Sequence, residues 1–144
     1  MSLSLGSKAV ITLDIAKAVG RAAEVYIAAH DFAMFVAVVD DSGTPLYVVR
    51  TNDAQPASYD VALQKAQVSA RFRRPTKGFE DRILADGRVN LLSLPGIVAV
   101  EGGLPLIVGG TVVGAIGVSG GTGVQDGEVA AAAAAALPGL LGRT

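Results

Sequence analysis

A lysine within an apolar helical pattern, an aspartate behind a run of glycines and a single histidine carry most of the chemistry this sequence could perform. Lys65 lies in ASYDVALQKA (57–66), on or beside the apolar face of a helix. A lysine so placed usually snorkels its ammonium group to water. If buried, it gives up its charge more readily and can serve as a base or form a Schiff base. Asp60, one turn earlier, is the partner expected for it, in a structural or a catalytic pair. Asp126 closes GVSGGTGVQD (117–126), between a β-like run and an alanine-rich helical run. Its plain role is to face the positive end of the helix dipole. Its chemical role would be that of hydrogen-bond acceptor or general base. The amides of Gly120, Gly121, Thr122 and Gly123 precede a helix N-terminus. They either cradle a ligand's oxygen atoms or turn strand into helix in few residues.

His30, the only histidine, ends a helical pattern in AAHDF. It can cap the free carbonyls of that helix, or act as an axial haem ligand. One chain supplies one such imidazole, and two chains could supply one each. Tyr26, Tyr47 and Tyr59 are further axial donors to consider, while Met34 reads as packing. Arg71, Arg73 and Arg74, with Lys77, cluster around Pro75. They form solvated helix ends paired with Glu80 or Asp81, or a clamp that grips a carboxylate through paired hydrogen bonds. Ser119 sits in GVSGG rather than in a nucleophile elbow, so serine hydrolase chemistry is not indicated. Glu101, in EGG, reads as a turn residue. No cluster has metal-ligand spacing, so no metal site is expected.

These groups must be held by elements that the hydrophobic pattern supplies. Leu13–Ala29 reads as a helix capped by Thr12, with Asp14 in its first turn. FVAVVD (35–40) and PLYVVR (45–50) read as a hairpin around DDSG. A second helix runs from Ser58, its expected cap, to Phe72, and a third from about Thr76, also its expected cap, to Ala85, closing near Gly87. Ile97–Val100, Leu104–Val108 and Thr111–Val118 read as three more strands, the last two joined by Gly109-Gly110. A last helix spans about Val124–Leu137 and ends at Pro138-Gly139. Hairpin connections imply an antiparallel sheet of five strands with helices packed on it.

The totals narrow the classes. A chain of 144 residues fits one domain, 1–144, able to bury a sizeable core. The absence of cysteine excludes disulfides, thiolate metal sites and cysteine nucleophiles, and suits a reducing cytoplasmic setting. A net charge of −1 argues against nucleic-acid binding. No signal-peptide pattern opens the chain and no apolar run reaches the ~18 residues a membrane helix needs, so no membrane partner is expected.

FVAVVDDSGTPLYVVR, ASYDVALQKA, FRRPT and GGLPLIVGGTVVGAIGVSGGTGVQD occur in this order and together resemble the GlcG/HbpS family, which includes haem-binding HbpS proteins and the C-terminal domain of PduO-type proteins. The likeness covers roughly residues 9–137. It implies an α+β, profilin-like α/β/α sandwich around a five-stranded antiparallel sheet, in a homo-oligomer. It also implies binding of haem or a related tetrapyrrole, for storage, sensing or protection. The alternative is a lyase, isomerase or hydratase that needs no cofactor and acts on a small carboxylated metabolite in a catabolic pathway. In that case Asp126 and Lys65 would be the catalytic pair. In either case His30, Arg71, Arg73, Arg74 and the 120–123 loop are the ligand-binding candidates.

Overall fold

The computed structural model describes residues 1–143. Its elements are α1 (Leu13–Ala29), β1 (Phe35–Asp40), β2 (Pro45–Arg50), α2 (Ser58–Phe72), α3 (Thr76–Asp86), a 3-10 turn (Val89–Ser93), β3 (Gly103–Val108), β4 (Thr111–Ser119), α4 (Gly123–Ala135) and α5 (Leu137–Leu140). The four strands form one antiparallel sheet in the order β2-β1-β4-β3.

Strand alternation divides the core in two. Val36 and Val38 of β1, with Ile116 and Val118 of β4, pack under α1 and α4 on one face. Phe35, Ala37 and Val39, with Ala115, pack on the other face against Ala62, Ala66 and Ala70 of α2. The central strands are therefore apolar on both faces, as a sheet covered on both sides requires. The small residues on α2 let it lie flat on β4. A Cβ at Gly117 would overlap the Ala62 carbonyl and the Ala66 amide.

Two turns follow from local chemistry. Asp40 accepts hydrogen bonds from the Ser42 and Thr44 amides at 2.8 and 2.9 Å, closing the β1–β2 hairpin. Gly109 and Gly110 take φ of 57° and 78°, the positive values of a primed hairpin turn.

Four expectations are corrected. Ile97–Val100 is not a strand, and the sheet has four strands rather than five. Ile97, Val98 and Ala99 instead cover a satellite cluster of Val68, Phe79 and Leu91 beneath α3. A four-residue apolar run serves either purpose, and periodicity does not separate them. Ser58 does not cap α2: Ala57 holds the N-cap position, and Ser58 is buried in the first turn, where its hydroxyl accepts from the Gln55 amide group. Pro75, not Thr76, precedes α3 as its N-cap residue. Pro138 and Gly139 do not stop the C-terminal helical path but lie inside α5, which follows α4 directly. Among the described residues, no helix is long and apolar enough to cross a membrane.

Candidate functional site

Lys65 and Asp126 meet, although 61 positions separate them. Lys65 leaves the sheet-facing side of α2 and reaches the last residues of β4. There its Nζ donates to the Val118 carbonyl and to Asp126 Oδ2, both at 2.9 Å. The other carboxylate oxygen of Asp126 accepts the Gly121 amide at 2.9 Å. Both side chains are buried, at 1% and 4% exposure. Asp60 is not the partner of Lys65. A buried charge is tolerated when it is paired and its remaining hydrogen-bonding groups are satisfied, and this pair meets those terms. Burial lifts the Asp126 carboxyl above the ordinary carboxylate range, against the opposing pull of Lys65 and of the Gly121 N–H.

Gly102 makes the meeting geometrically possible. A side chain there would run into the Val118 carbonyl, Lys65 Nζ and Asp126 Cβ, and its φ of 132° lies where other residues are strained. The pair thus joins α2, on one sheet face, to the start of α4, on the other.

The glycine loop is closed on itself by the same contacts. Thr122 caps α4 by accepting the Gln125 amide at 3.2 Å, while Gln125 Oε1 accepts the Thr122 amide at 3.0 Å. With Thr122 as cap, Asp126 is free to turn inward. The Gly121 and Thr122 amides, two of the donors expected for a ligand's oxygen atoms, are therefore occupied internally.

The three arginines do not converge. Arg71 Nε donates to the Ser42 carbonyl at 3.0 Å, and Arg73 donates to the Asp41 carbonyl at 3.1 Å, so both brace the β1–β2 turn. Arg74 folds back on the Phe72 carbonyl at 3.1 Å and lies over the Phe79 ring. Lys77 pairs with Asp81 at 2.9 Å, as the basic cluster predicted.

His30 stands at the C-cap of α1, exposed. Its Nδ1 lies 2.9 Å from the Tyr26 carbonyl. A carbonyl oxygen only accepts, so in the neutral ring Nδ1 carries the proton and Nε2 keeps its lone pair. The imidazole stacks on Tyr26 at 3.9 Å between ring centroids, and Phe32 lies 5.5 Å away on a tilted plane. Beside it opens a cavity of about 460 Å³ whose wall includes Ile27, Ala28, Phe32 and Arg50, together with Glu24 and Asp53.

Two of the three tyrosines are poorer donors than the sequence suggests. Tyr26 donates its hydroxyl to Glu128 and Tyr47 donates to Glu24, at 3.4 and 3.0 Å. Burial and those carboxylates raise both phenol pKa values, which disfavours the phenolate. Sequence reasoning missed Phe32, Arg50 and the cavity wall, because loop residues 51–53 approach the end of α1 only through the β1–β2 pairing. It also missed the partner of Lys65, for which the Gly102-Gly103 doublet was the available signal of close approach.

The architecture defines a class: an α+β protein whose antiparallel sheet is covered by helices on both faces. Residues 11–135 match the family described as haem degrading protein HbpS-like, and the chain belongs to that family. Protein GlcG of Escherichia coli K12 is 37% identical over 113 residues, covering 78% of this chain and 84% of that protein. The crystal structure of a double mutant of Streptomyces reticuli HbpS superposes with a TM-score of 0.85 at 34% identity, covering 92% of this chain and 90% of that one. A PduOC–haem complex superposes with a TM-score of 0.79 at 27% identity, covering 88% and 94%.

Proposed function

We propose that this protein binds haem or a related tetrapyrrole, with His30 as the axial ligand. The observation that carries the reading is the 2.9 Å contact of His30 Nδ1 with the Tyr26 carbonyl. A backbone carbonyl holds Nδ1–H, as outer-shell partners do for metal-bound histidines, and leaves Nε2 as the free donor on an exposed ring. The neighbours suit the flat macrocycle. Phe32 provides an aromatic face beside the imidazole, and Arg50, which also donates to the Ala54 carbonyl, provides a cation on the adjoining cavity wall beside Glu24, Asp31 and Asp53. The likeness to a solved PduOC–haem complex and to HbpS supports the same reading.

When bound, haem would supply a redox-active iron centre, and His30 would hold it. This chain's part is to orient the imidazole, shield one face and offer a cation to a propionate. A single chain presents one imidazole at its surface, so in a homo-oligomer a second copy would bring its own His30 to hold the group. The burial and internal pairing of Lys65 and Asp126 favour a positioning role for that pair over a catalytic one.

Haemin titration of the purified protein tests the reading. Saturable binding with a shifted Soret band is expected, and His30→Ala should weaken it by at least about tenfold, the usual loss when a ligand or its orienting partner goes. Non-saturating binding, or equal affinity in His30→Ala, would overturn the assignment.

A further inference from the structure

The opposite end of the sheet holds a cavity of about 500 Å³ between the N-terminal segment, the β1–β2 turn and the β3–β4 turn. It shares no wall with the His30 region. His30 and Phe32 precede the Phe35 end of β1, whereas Asp41 follows its Asp40 end, and six strand residues span about 20 Å.

Charge and shape are both specific here. Lys8 Nζ pairs with Asp41 at 2.9 Å, with Asp41 buried and Lys8 63% exposed. Asp41 thereby draws Lys8 and Arg73 to one wall. Arg73 uses one N–H on the Asp41 carbonyl, which leaves the rest of its guanidinium fork without a protein acceptor among the described residues. Its backbone is left-handed, with φ of 60°, a conformation uncommon for a residue with a side chain. Thr111 adds a hydroxyl. Ile107, 53% exposed, and Val112 add an apolar wall. Two cations against one buried carboxylate leave the cavity net positive. A planar fork with open N–H groups matches a carboxylate better than a spherical anion.

We propose that this cavity binds a small organic monocarboxylate, its carboxylate held by Arg73 and Lys8 and its short apolar body laid against Ile107 and Val112. The arginine clamp expected from the sequence is thus reduced to one arginine, and its second cation comes from the N-terminal segment. This inference is independent of the haem reading.

Sodium butyrate is the probe, followed by amide chemical shifts at Gly110 and Thr111, with inorganic phosphate and n-butylammonium as comparisons. Saturable shifts with butyrate, weaker ones with phosphate and none with the amine are expected. Arg73→Asn, which suits the left-handed backbone, should weaken butyrate by about tenfold or more, and Lys8→Gln by about threefold. If Arg73→Asn misfolds, Lys8→Gln carries the test, since its residue is largely exposed. Absence of saturable shifts, unchanged affinity in Lys8→Gln, or phosphate binding as tightly as butyrate would overturn the proposal. Competition between haemin and butyrate would place a haem propionate in this cavity and overturn the free monocarboxylate as its occupant. Additive binding would support a free acid.

Discussion

Lys65–Asp126 and Lys8–Asp41 are ion pairs of equal length, 2.9 Å, at opposite ends of one sheet. The first is sealed from water on both sides. The second leaves its lysine largely in solvent. Distance therefore says little about what each does, and burial says most of it. The sealed pair holds α2, β4 and α4 in one arrangement, with Val118 and Gly121 completing its hydrogen bonds. The open pair gathers charge around a cavity at small energetic consequence. Lys65 and Asp126, which look reactive in the sequence, are paired with each other out of solvent, while the groups proposed to meet a ligand lie at the exposed end of α1 and at the N-terminal segment.

The largest effect should come from breaking the sealed pair. Lys65→Met leaves Asp126 buried without its cation and should cost about 3–5 kcal/mol in urea unfolding. Lys65→Met combined with Asp126→Leu should lose less than the sum of the single changes, since no charge is then left alone. Strict additivity would remove the pair from the account.

The two aspartates should also titrate on opposite sides of their common reference value of 3.8. Burial raises Asp126, whereas the hydrogen bond from Lys8 lowers Asp41. The folded state holds the Asp126 proton more tightly than the unfolded chain does. Its contribution to stability is therefore full below 3.8 and fades as pH rises through its folded value. Asp41 contributes above 3.8 and fades as pH falls through its lowered value. Carboxyl carbon NMR titration reads both, and the reverse order would contradict the contrast in burial. The smallest effect belongs to Lys8→Ala, which should change stability by less than about 1 kcal/mol because its ammonium is mostly hydrated. A larger loss in urea unfolding would show that the open pair fastens the fold too.

Local order was legible wherever local chemistry sets it. Thr12 capping α1, the DDSG turn, the Gly109-Gly110 hairpin and the end of α3 at Gly87 all follow from nearest neighbours. Ile97–Val100 was misread because its apolar residues face a satellite cluster that no sequence period reveals. Lys65 and Asp126 were each legible as candidates, but their pairing depends on how α2 crosses the sheet, which only tertiary packing decides. His30 at its helix end was readable. The fixing of its tautomer by Tyr26 follows from the helix geometry, and the cavity beside it does not.

The central claim is that ligand chemistry resides at His30 while Asp126 serves the fold. Haemin affinity of His30→Ala and Asp126→Asn, measured side by side with their unfolding curves, tests it directly. The account predicts that His30→Ala keeps its stability and loses haemin, while Asp126→Asn loses stability and, where still folded, binds haemin like the parent. A stable Asp126→Asn that no longer binds, beside a His30→Ala that still does, would contradict it.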